Sequence, residues 1–327
     1  MIRLTKCFAQ HKGGIIYELY KEIPTKNLSH NEWLRLRKTG IGGSDVGAIC
    51  GVNKYSSPVK IYQDKTTDTI TEINNEATRI GHDLEDYCAR RFMEETGLKV
   101  RKSNFMYRST EHPFMLADVD RLVIGEDAGL ECKTTNILNA SQWKNGQIPI
   151  SYVMQCYHYM YCTGRKTWYI ACVILGKEFV YRKLTWNDDI INNIVSIEYD
   201  FWQNNVLKGI MPKPDGSSSS DNIISSMFPT AENKDVIKLT GFDEKLSKRD
   251  SLISEISQLE KEKKKIEQEI QIKMEDSEFA ENDTHRIKWS NVETVRLDTQ
   301  RLHKELPNIY NQFLKKTVSR RFQIKAV

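Results

Sequence analysis

Carboxylates and one ammonium group recur at strand-like spacing within residues 114–136. Because side chains alternate across a β-strand, Glu131 and Lys133 are predicted to point to one face of their strand. Asp118 and Asp120 share a face of the preceding strand in the same way. A short hairpin between the two strands would place Asp120 next to that pair.

Two carboxylates and an ammonium group on one sheet face suit a divalent ion and a water molecule beside a phosphate. Hard oxygen ligands of this kind select Mg²⁺ or Mn²⁺. The alternative is a cross-strand salt bridge on a solvated face, and the D-x(10)-E-x-K spacing alone would favour that alternative.

Helices that precede and follow the strand pair contribute further polar side chains. A helix predicted over about residues 75–97 contains Glu85, which could supply another carboxylate from outside the sheet. A helix predicted over residues 151–162 carries Gln155 and Tyr159, four residues apart on one helical face. The strand pair therefore has candidate neighbours on two helices.

The order of the elements predicts one α/β domain over residues 1–210, with a central mixed sheet flanked by helices. Its first helix follows a capping box formed by Ser29 and Glu32. Further helices are predicted at residues 58–65, 75–97, 151–162 and 188–208, and strands at 99–107, 114–124, 128–134, 167–175 and 178–184.

The remaining third of the chain is predicted as a linker, a charged helix and a small α+β extension. Residues 211–240 are polar and rich in turn formers, and Lys213 to Asn222 is predicted as a linker or loop. Residues 241–275 form a predicted heptad helix. Its seam consists of Leu252, Ile256, Leu259, Lys263, Ile266, Ile270 and Lys273. A helical arm packing on its own chain is favoured over an intermolecular coiled coil, because fewer than four heptads are clean.

The last segment, residues 276–327, is predicted to contain two strands, a helix over 300–315 and a final strand around residues 318–324. Residues 315–327 carry five positive charges and no acid. A solvated strand face is the simplest interpretation, and contact with a DNA backbone is the alternative.

Composition excludes several classes of protein. The 327 residues carry 48 Lys and Arg against 44 Asp and Glu, and this net charge of +4 permits a local basic groove without identifying one. No apolar run approaches the roughly eighteen residues of a membrane span, and no secretory signal is visible. Seven cysteines without CxxC spacing argue against a disulfide framework or structural zinc and indicate a reducing cytoplasm.

Five motifs follow one another between residues 29 and 210: WLRLRKTGIGGSDVGAICG, IGHDLEDYCARRF, LADVDRLV, LECK and YVMQCYHYMYCTG. In this order they resemble the PD-(D/E)xK nucleases, specifically the YqaJ-type viral recombinases or phage alkaline exonucleases (lambda exonuclease-like). Val119 stands where that motif usually has proline, and Arg121 where glycine is common. Asp118 competes with Asp120 as a ligand, and Asp120 is preferred because A-x-V-D-R matches the family's A-S-P-D-G.

The resemblance implies roles for the polar residues. Asp120 and Glu131 would hold the catalytic metal together with the backbone carbonyl of Cys132. Glu85 would complete a shell of one or two ions. Lys133 would orient or deprotonate the attacking water and offset negative charge in the transition state.

Three more residues take implied roles in handling phosphates. Gln155 would help to fix the water or the scissile phosphate. Arg37 and Ser44 match family positions that bind a 5′-terminal phosphate, and a guanidinium fork beside a glycine-rich turn before a helix agrees with that role.

The implied activity is an Mg²⁺-dependent 5′→3′ double-strand DNA exonuclease, with Mn²⁺ as a substitute metal. It would produce 3′ overhangs for a single-strand annealing protein in the cytoplasm of a bacterial host. The implied assembly is a ring-shaped homo-oligomer, a trimer, acting on double-stranded DNA ends. The alternatives are an endonuclease of the same superfamily and a non-catalytic DNA-binding or scaffold protein.

Overall fold

The structure is a computed structural model that describes residues 9–12, 15–69, 75–232 and 234–325. Residues 1–8, which include Cys7, and residues 13–14 of the N-terminal segment in which no secretory signal was predicted lie outside these ranges. The chain divides into two compact units, residues 1–228 and 229–327. The described ranges contain no helix with the length and apolar character that a membrane crossing requires.

Most helices of the first unit begin at a capping side chain. They are α1 (His30–Lys38), α2 (Gly43–Ile49), α3 (Pro58–Thr66), α4 (Glu76–Thr96), α5 (Ile150–Thr163), α6 (Asp188–Asp200) and α7 (Ser218–Met227), with a 3₁₀ segment at Ile137–Gly146 and a π-helical turn at Phe201–Val206. The predicted capping box of α1 is present, because Ser29 and Glu32 each accept the other's backbone N–H. Gly97 ends α4 in the left-handed conformation that glycine favours.

Strands of the first unit form two larger sheets and one hairpin. They are β1 (Ala9–Lys12), β2 (Ile15–Glu18), β3 (Tyr20–Pro24), β4 (Ile41–Gly42), β5 (Val100–Lys102), β6 (Phe105–Ser109), β7 (Met115–Asp118), β8 (Arg121–Val123), β9 (Ala128–Thr135), β10 (Thr167–Ile174) and β11 (Glu178–Thr185). The five-stranded sheet has the order β11-β10-β9-β8-β5, and the four-stranded sheet β3-β6-β7-β4. β1 pairs with β2.

The five-stranded sheet is mixed and has helices on both faces. β9 and β10 are parallel and are joined through α5, whereas the other neighbouring strands are antiparallel. In β10, residues 169, 171 and 173 pack with α4, while residues 168, 170, 172 and 174 pack in the cluster that contains α5. The predicted α/β class with a central mixed sheet between helices is therefore confirmed. Leu130 faces α4, which leaves Glu131 on the α5 side.

Two predicted strands are each divided between the two sheets. The strand predicted over residues 99–107 is β5 and β6, and the strand over 114–124 is β7 and β8. β5 and β8 pair in the five-stranded sheet, whereas β6 and β7 pair in the four-stranded sheet. The prediction of continuous strands was wrong here, because the chain bends from one sheet into the other at Val119 and Asp120.

The predicted linker over residues 211–240 contains a helix. Ser217 caps α7 by accepting the backbone N–H of Ser220, and the Asp215 carboxylate accepts the hydroxyls of both serines. Because α7 packs against α3 of the first unit, the loop predicted for Lys213 to Asn222 was wrong over its second half. Polar residues that are typical of a linker act here as a helix cap.

The second unit consists of one long helix and a small α+β segment. Its elements are α8 (Asp243–Met274), β12 (Phe279–Glu281), β13 (Arg286–Lys288), α9 (Thr299–Glu305) and α10 (Pro307–Gln312). The predicted helix over 300–315 is two helices because Pro307 removes a backbone donor and starts α10. The predicted final strand was wrong, because residues 314–325 have no regular structure.

Candidate active site

One cavity is lined by six of the residues that the sequence singled out in separate segments, namely Arg37, Ser44, Asp118, Asp120, Glu131 and Gln155, whereas Glu85, Cys132 and Lys133 do not line it. Its volume is about 150 Å³, and its wall is built from α1, the turn into α2, β7, the corner before β8, β9 and α5. The lining residues are Trp33, Arg37, Gly42, Gly43, Ser44, Met106, Leu116, Asp118, Asp120, Glu131, Gln155 and Tyr159.

Asp120 occupies the corner between the two sheets. Its Oδ2 atom accepts the backbone N–H of Cys132 at 2.7 Å, so the carboxylate is fixed against the edge of β9. Burial, together with repulsion from Glu131 and Glu85, raises the pKa of Asp120 well above its usual range. The corner thus concentrates negative charge that a cation would stabilise.

Glu131 is almost fully buried, with 3% of its surface exposed. Its Oε1 atom accepts hydrogen bonds from Gln155 at 2.7 Å and from Lys133 at 2.6 Å. Gln155 also donates to the Tyr159 hydroxyl at 2.9 Å. The helical spacing of four residues therefore aligns a glutamine and a tyrosine behind one carboxylate, and the predicted contact of α5 with β9 exists.

Lys133 remains charged in these surroundings. Burial alone would lower its pKa, but the negative charges of Glu131 and Asp120 outweigh burial and raise the pKa. The ammonium also lies 4.7 Å from the ring centroid of Tyr152, a cation–π contact. Lys133 is thus a fixed positive charge at the rim of the carboxylate pair.

The donor set fits a hard divalent cation. Among the described residues, the Oε2 atom of Glu131 is buried and has no hydrogen-bond partner. An unpaired buried carboxylate oxygen is unfavourable by about 1–3 kcal/mol or more. Mg²⁺ is commonly bound by one or two carboxylates, with water and substrate phosphates completing its shell. Asp120 and Glu131 meet that description.

Glu85 does not join the pair directly. In the described part of the chain, no three Asp, Glu, His or Cys side chains are arranged as a metal site. The carboxylate of Glu85 instead forms an ion pair with Arg121, a buried residue that also bonds Asp86 and the backbone oxygen of Asp120. The arginine that replaces the family's usual glycine therefore ties the middle of α4 to the corner.

Asp118 has a different environment from Asp120. Its Oδ2 atom accepts the indole N–H of Trp33 at 2.8 Å, which links β7 to α1. Burial raises the pKa of Asp118, while the Trp33 hydrogen bond and the positive charge of Arg37 oppose that rise; repulsion from Glu131 acts instead on Asp120. Both aspartates line the cavity, but Asp120 is the one beside the glutamate of β9.

Arg37 and Ser44 line the same cavity and lie next to each other. The guanidinium of Arg37 donates to the Ser44 hydroxyl at 2.8 Å and lies 5.1 Å from the ring centroid of Trp33. The carboxylate of Asp45 lies 3.8 Å from the guanidinium of Arg37. It lies closer, at 2.9 Å, to the buried ammonium of Lys65. Arg37 therefore keeps positive charge that is only partly neutralised.

The glycine-rich turn brings these groups close to the sheet. A Cβ atom on Gly43 would lie 2.4 Å from the ring of Tyr159, and one on Gly40 would lie 2.3 Å from the backbone oxygen of Phe114. Neither position can accept a side chain without movement of its neighbours. The turn thus requires glycine for close packing.

Two residues of the site were missed by sequence reasoning. Trp33 stands one helical turn before Arg37, and that i, i+4 spacing was the available signal. Arg121 was noted only as a departure from the family motif. His158 is fully buried between Glu198 and the backbone oxygen of Leu116, at 2.8 Å from each.

Comparison with known proteins places this site in a family. Residues 32–166, which include every residue lining the cavity, match the YqaJ-like viral recombinase domain. The chain is 37% identical to the YqaJ protein of Bacillus subtilis (strain 168) over 313 residues, covering 94% of this chain and 98% of that protein.

Solved structures with a similar fold include two exonucleases. An alkaline exonuclease from Laribacter hongkongensis has a TM-score of 0.47 and 22% identity, covering 55% of this chain and 94% of that one. A phage-related exonuclease from Haemophilus somnus 129PT has a TM-score of 0.39 and 14% identity, covering 60% and 99%. Both scores are below 0.5, so family membership rests on the relationship in sequence. The chain belongs to the family of proteins with a YqaJ-like viral recombinase domain, as its motifs predicted.

Proposed function

We propose that this protein is a divalent-metal-dependent exonuclease that degrades one strand of duplex DNA in the 5′→3′ direction. The observation that carries the proposal is a single cavity lined by the Asp120 and Glu131 carboxylates and by Arg37, with Lys133 in contact with Glu131. Membership of a viral recombinase family supports DNA as the substrate.

Asp120 and Glu131 would hold the metal, Mg²⁺ or in its place Mn²⁺. The backbone N–H of Cys132 donates to Asp120, and in a β-strand the N–H and the C=O of one residue point to the same side of the strand. The carbonyl of Cys132 therefore points to the side on which Asp120 lies, which supports that oxygen as a further ligand. When bound, the ion supplies positive charge that stabilises the phosphate during attack by water. Glu85 is proposed as a further ligand of this metal. To bind the metal, its carboxylate would have to break the ion pair with Arg121.

The chain's own residues orient the reacting groups. Lys133 keeps its proton at Nζ and donates hydrogen bonds to the water and to a phosphate oxygen. Gln155 holds Glu131 in place through its amide N–H and leaves its carbonyl oxygen to orient water. The Tyr159 hydroxyl fixes Gln155 in turn. Such preorganised donors lower the barrier because they need not rearrange during reaction.

Arg37 and Ser44 would receive the terminal 5′-phosphate. A terminal monoester carries more negative charge than an internal diester and exposes three oxygens, which suits a guanidinium fork and a hydroxyl. Binding the end at this point would present the next phosphodiester to the carboxylate pair. This end recognition is what separates the proposed exonuclease from an endonuclease of the same superfamily.

The proposed biological setting follows from the family. An exonuclease of a viral recombination system would leave 3′ overhangs, and a single-strand annealing protein would use them in a bacterial cytoplasm. A ring-shaped homo-oligomer, a trimer, would retain the duplex during successive cuts. Light scattering of the purified protein measures the subunit number directly, and a monomer that degrades DNA processively would contradict the ring.

Linear and closed circular duplexes test the proposal, each incubated with Mg²⁺ or with EDTA. We expect Mg²⁺-dependent degradation of the linear duplex only, with nucleotides released from a 5′-labelled strand before a 3′-labelled one. Lys133→Ala should be inactive, whereas Lys144→Ala, which changes an exposed lysine of the 3₁₀ segment, should be active. Cutting of closed circles would support an endonuclease. No cutting with any divalent metal would support the non-catalytic alternative.

A further inference from the structure

One face of α8 exposes an apolar stripe along a heptad repeat. The exposed fractions are 47% for Leu252, 54% for Ile256, 58% for Leu259 and 59% for Ile266. With Lys263 between Leu259 and Ile266, successive members alternate between spacings of four and three residues, which is the a and d pattern of a coiled coil. We call this stripe with its flanking residues the α8 seam.

The flanks of the α8 seam are acidic. The central flanking positions, e and g of the heptad, are all glutamate: Glu255, Glu262 and Glu269 on one side, and Glu260 and Glu267 on the other. Lysines of the same segment lie on the opposite face of the helix, at Lys261, Lys264 and Lys265. Between residues 255 and 269, the glutamates and these three lysines are therefore segregated to different sides of the helix, while Glu267 also lies 3.7 Å from Lys263 and from Lys264.

This segregation opposes pairing of two copies of α8. In a parallel pair, g residues meet e residues of the other helix, so Glu255 would face Glu260 and Glu262 would face Glu267. In an antiparallel pair, g meets g and e meets e, which again brings glutamates together. Lys263, at a central a position, would face a second lysine in a parallel pair. Like charges at these positions disfavour self-association.

We propose that the α8 seam binds an α-helix of a different protein, whose own apolar seam is flanked by lysine and arginine. A basic partner converts each repulsive flank into an attractive one, and apolar residues of both helices are removed from water. Lys263 favours an acidic residue at the facing position of the partner, which would set the register.

The test uses two synthetic helical peptides of about four heptads each. Both have leucine and isoleucine at a and d, one with lysine and one with glutamate at every e and g position. Binding to the full-length protein is measured by fluorescence anisotropy at physiological salt. We expect the lysine peptide to bind and the glutamate peptide not to bind.

Charge reversal supplies the matched variants. Changing Glu255, Glu262 and Glu269 to lysine should weaken binding of the lysine peptide about thirtyfold and strengthen binding of the glutamate peptide, which still meets Glu260 and Glu267 on the other flank. Changing Lys261, Lys264 and Lys265 to glutamate alters the same number of charges on the opposite face and should have little effect. Circular dichroism and DNA cleavage check that both variants are folded.

Several results would overturn the proposal. Equal binding of both peptides, or of neither, would show that the flanks do not select a partner. A lower subunit number for Leu259→Asp than for the wild type would show that copies of this chain pair through the seam. Tight lysine-peptide binding only after deletion of residues 313–327 would show that the chain's own basic segment occupies it.

Discussion

Replacement of Arg37 by alanine tests the end-recognition step of the proposed function. In the wild type, Arg37 is held by the Ser44 hydroxyl and the face of Trp33, so its guanidinium is oriented before DNA binds. Alanine removes the charge and the fork but leaves Asp120 and Glu131 untouched. We therefore expect the variant to lose its preference for 5′-phosphorylated ends while it still binds metal.

The size of the effect follows from the surroundings of Arg37. A hydrogen bond to a charged group contributes about 1.5–3 kcal/mol, which corresponds to a factor of roughly ten to a hundred. The Arg37 side chain is 30% exposed, and its guanidinium lies 3.8 Å from the carboxylate of Asp45. Solvent and this carboxylate both weaken the attraction between Arg37 and a phosphate. The lower half of the range, about tenfold to thirtyfold, is therefore expected.

Single-turnover cleavage of matched duplexes with a 5′-phosphate or a 5′-hydroxyl measures this preference. Arg35→Ala is the control, because Arg35 lies on the same helix, is exposed and does not line the cavity. Wild type and Arg35→Ala should prefer the phosphorylated end, and Arg37→Ala should cut both at similar rates. Equal wild-type rates on the two ends would refute the phosphate pocket.

Three further predictions concern the carboxylate pair and the buried histidine. Lys133→Ala should abolish cleavage but leave DNA affinity within severalfold in a filter-binding assay, because affinity rests on many phosphate contacts; a large loss of affinity would contradict this. Asp120→Ala should remove Mg²⁺ binding in calorimetry, whereas Asp118→Ala should retain it, and the reverse result would assign the ligand to Asp118. His158→Ala should lower the free energy of unfolding by about 3–5 kcal/mol, because a buried carboxylate loses its partner, whereas His82→Ala, at an exposed position, should have little effect. The partner charge of Glu198 raises the pKa of His158 despite burial, so its stabilisation is complete below about pH 6.5 and is lost as pH rises through the raised pKa. Urea denaturation of wild type and His158→Ala between pH 6 and 9 should show that difference shrinking, and a constant difference would contradict it.

Local periodicity was a sound guide where one segment decides its own geometry. The alternation of β9 correctly placed Glu131 and Lys133 on one face, and their side chains are in contact. Ser29 and Glu32 form the predicted capping box, and the predicted charged helix over 241–275 corresponds to α8. Each of these features depends on residues at most a few positions apart, so neighbouring residue types suffice to predict it.

The predictions failed where the structure of one segment depends on its contacts with another segment. The run over 114–124 is apolar enough for one strand, and only the presence of two sheets makes it bend at Asp120. Residues 318–324 alternate like a strand, but no neighbouring strand pairs with them in the described structure. An isolated strand leaves its backbone groups unpaired, so alternation alone does not produce one.

For this protein, the sequence by itself determined the chemical groups, their order and the faces of the elements that carry them. Only the tertiary structure decided that Asp120 contacts β9 while Asp118 binds Trp33, and that Glu85 pairs with Arg121. The physical reason is that backbone periodicity acts within a segment, whereas a carboxylate's partner depends on how distant segments pack. The corner between two sheets, which no local pattern encodes, is what brings the carboxylate pair together.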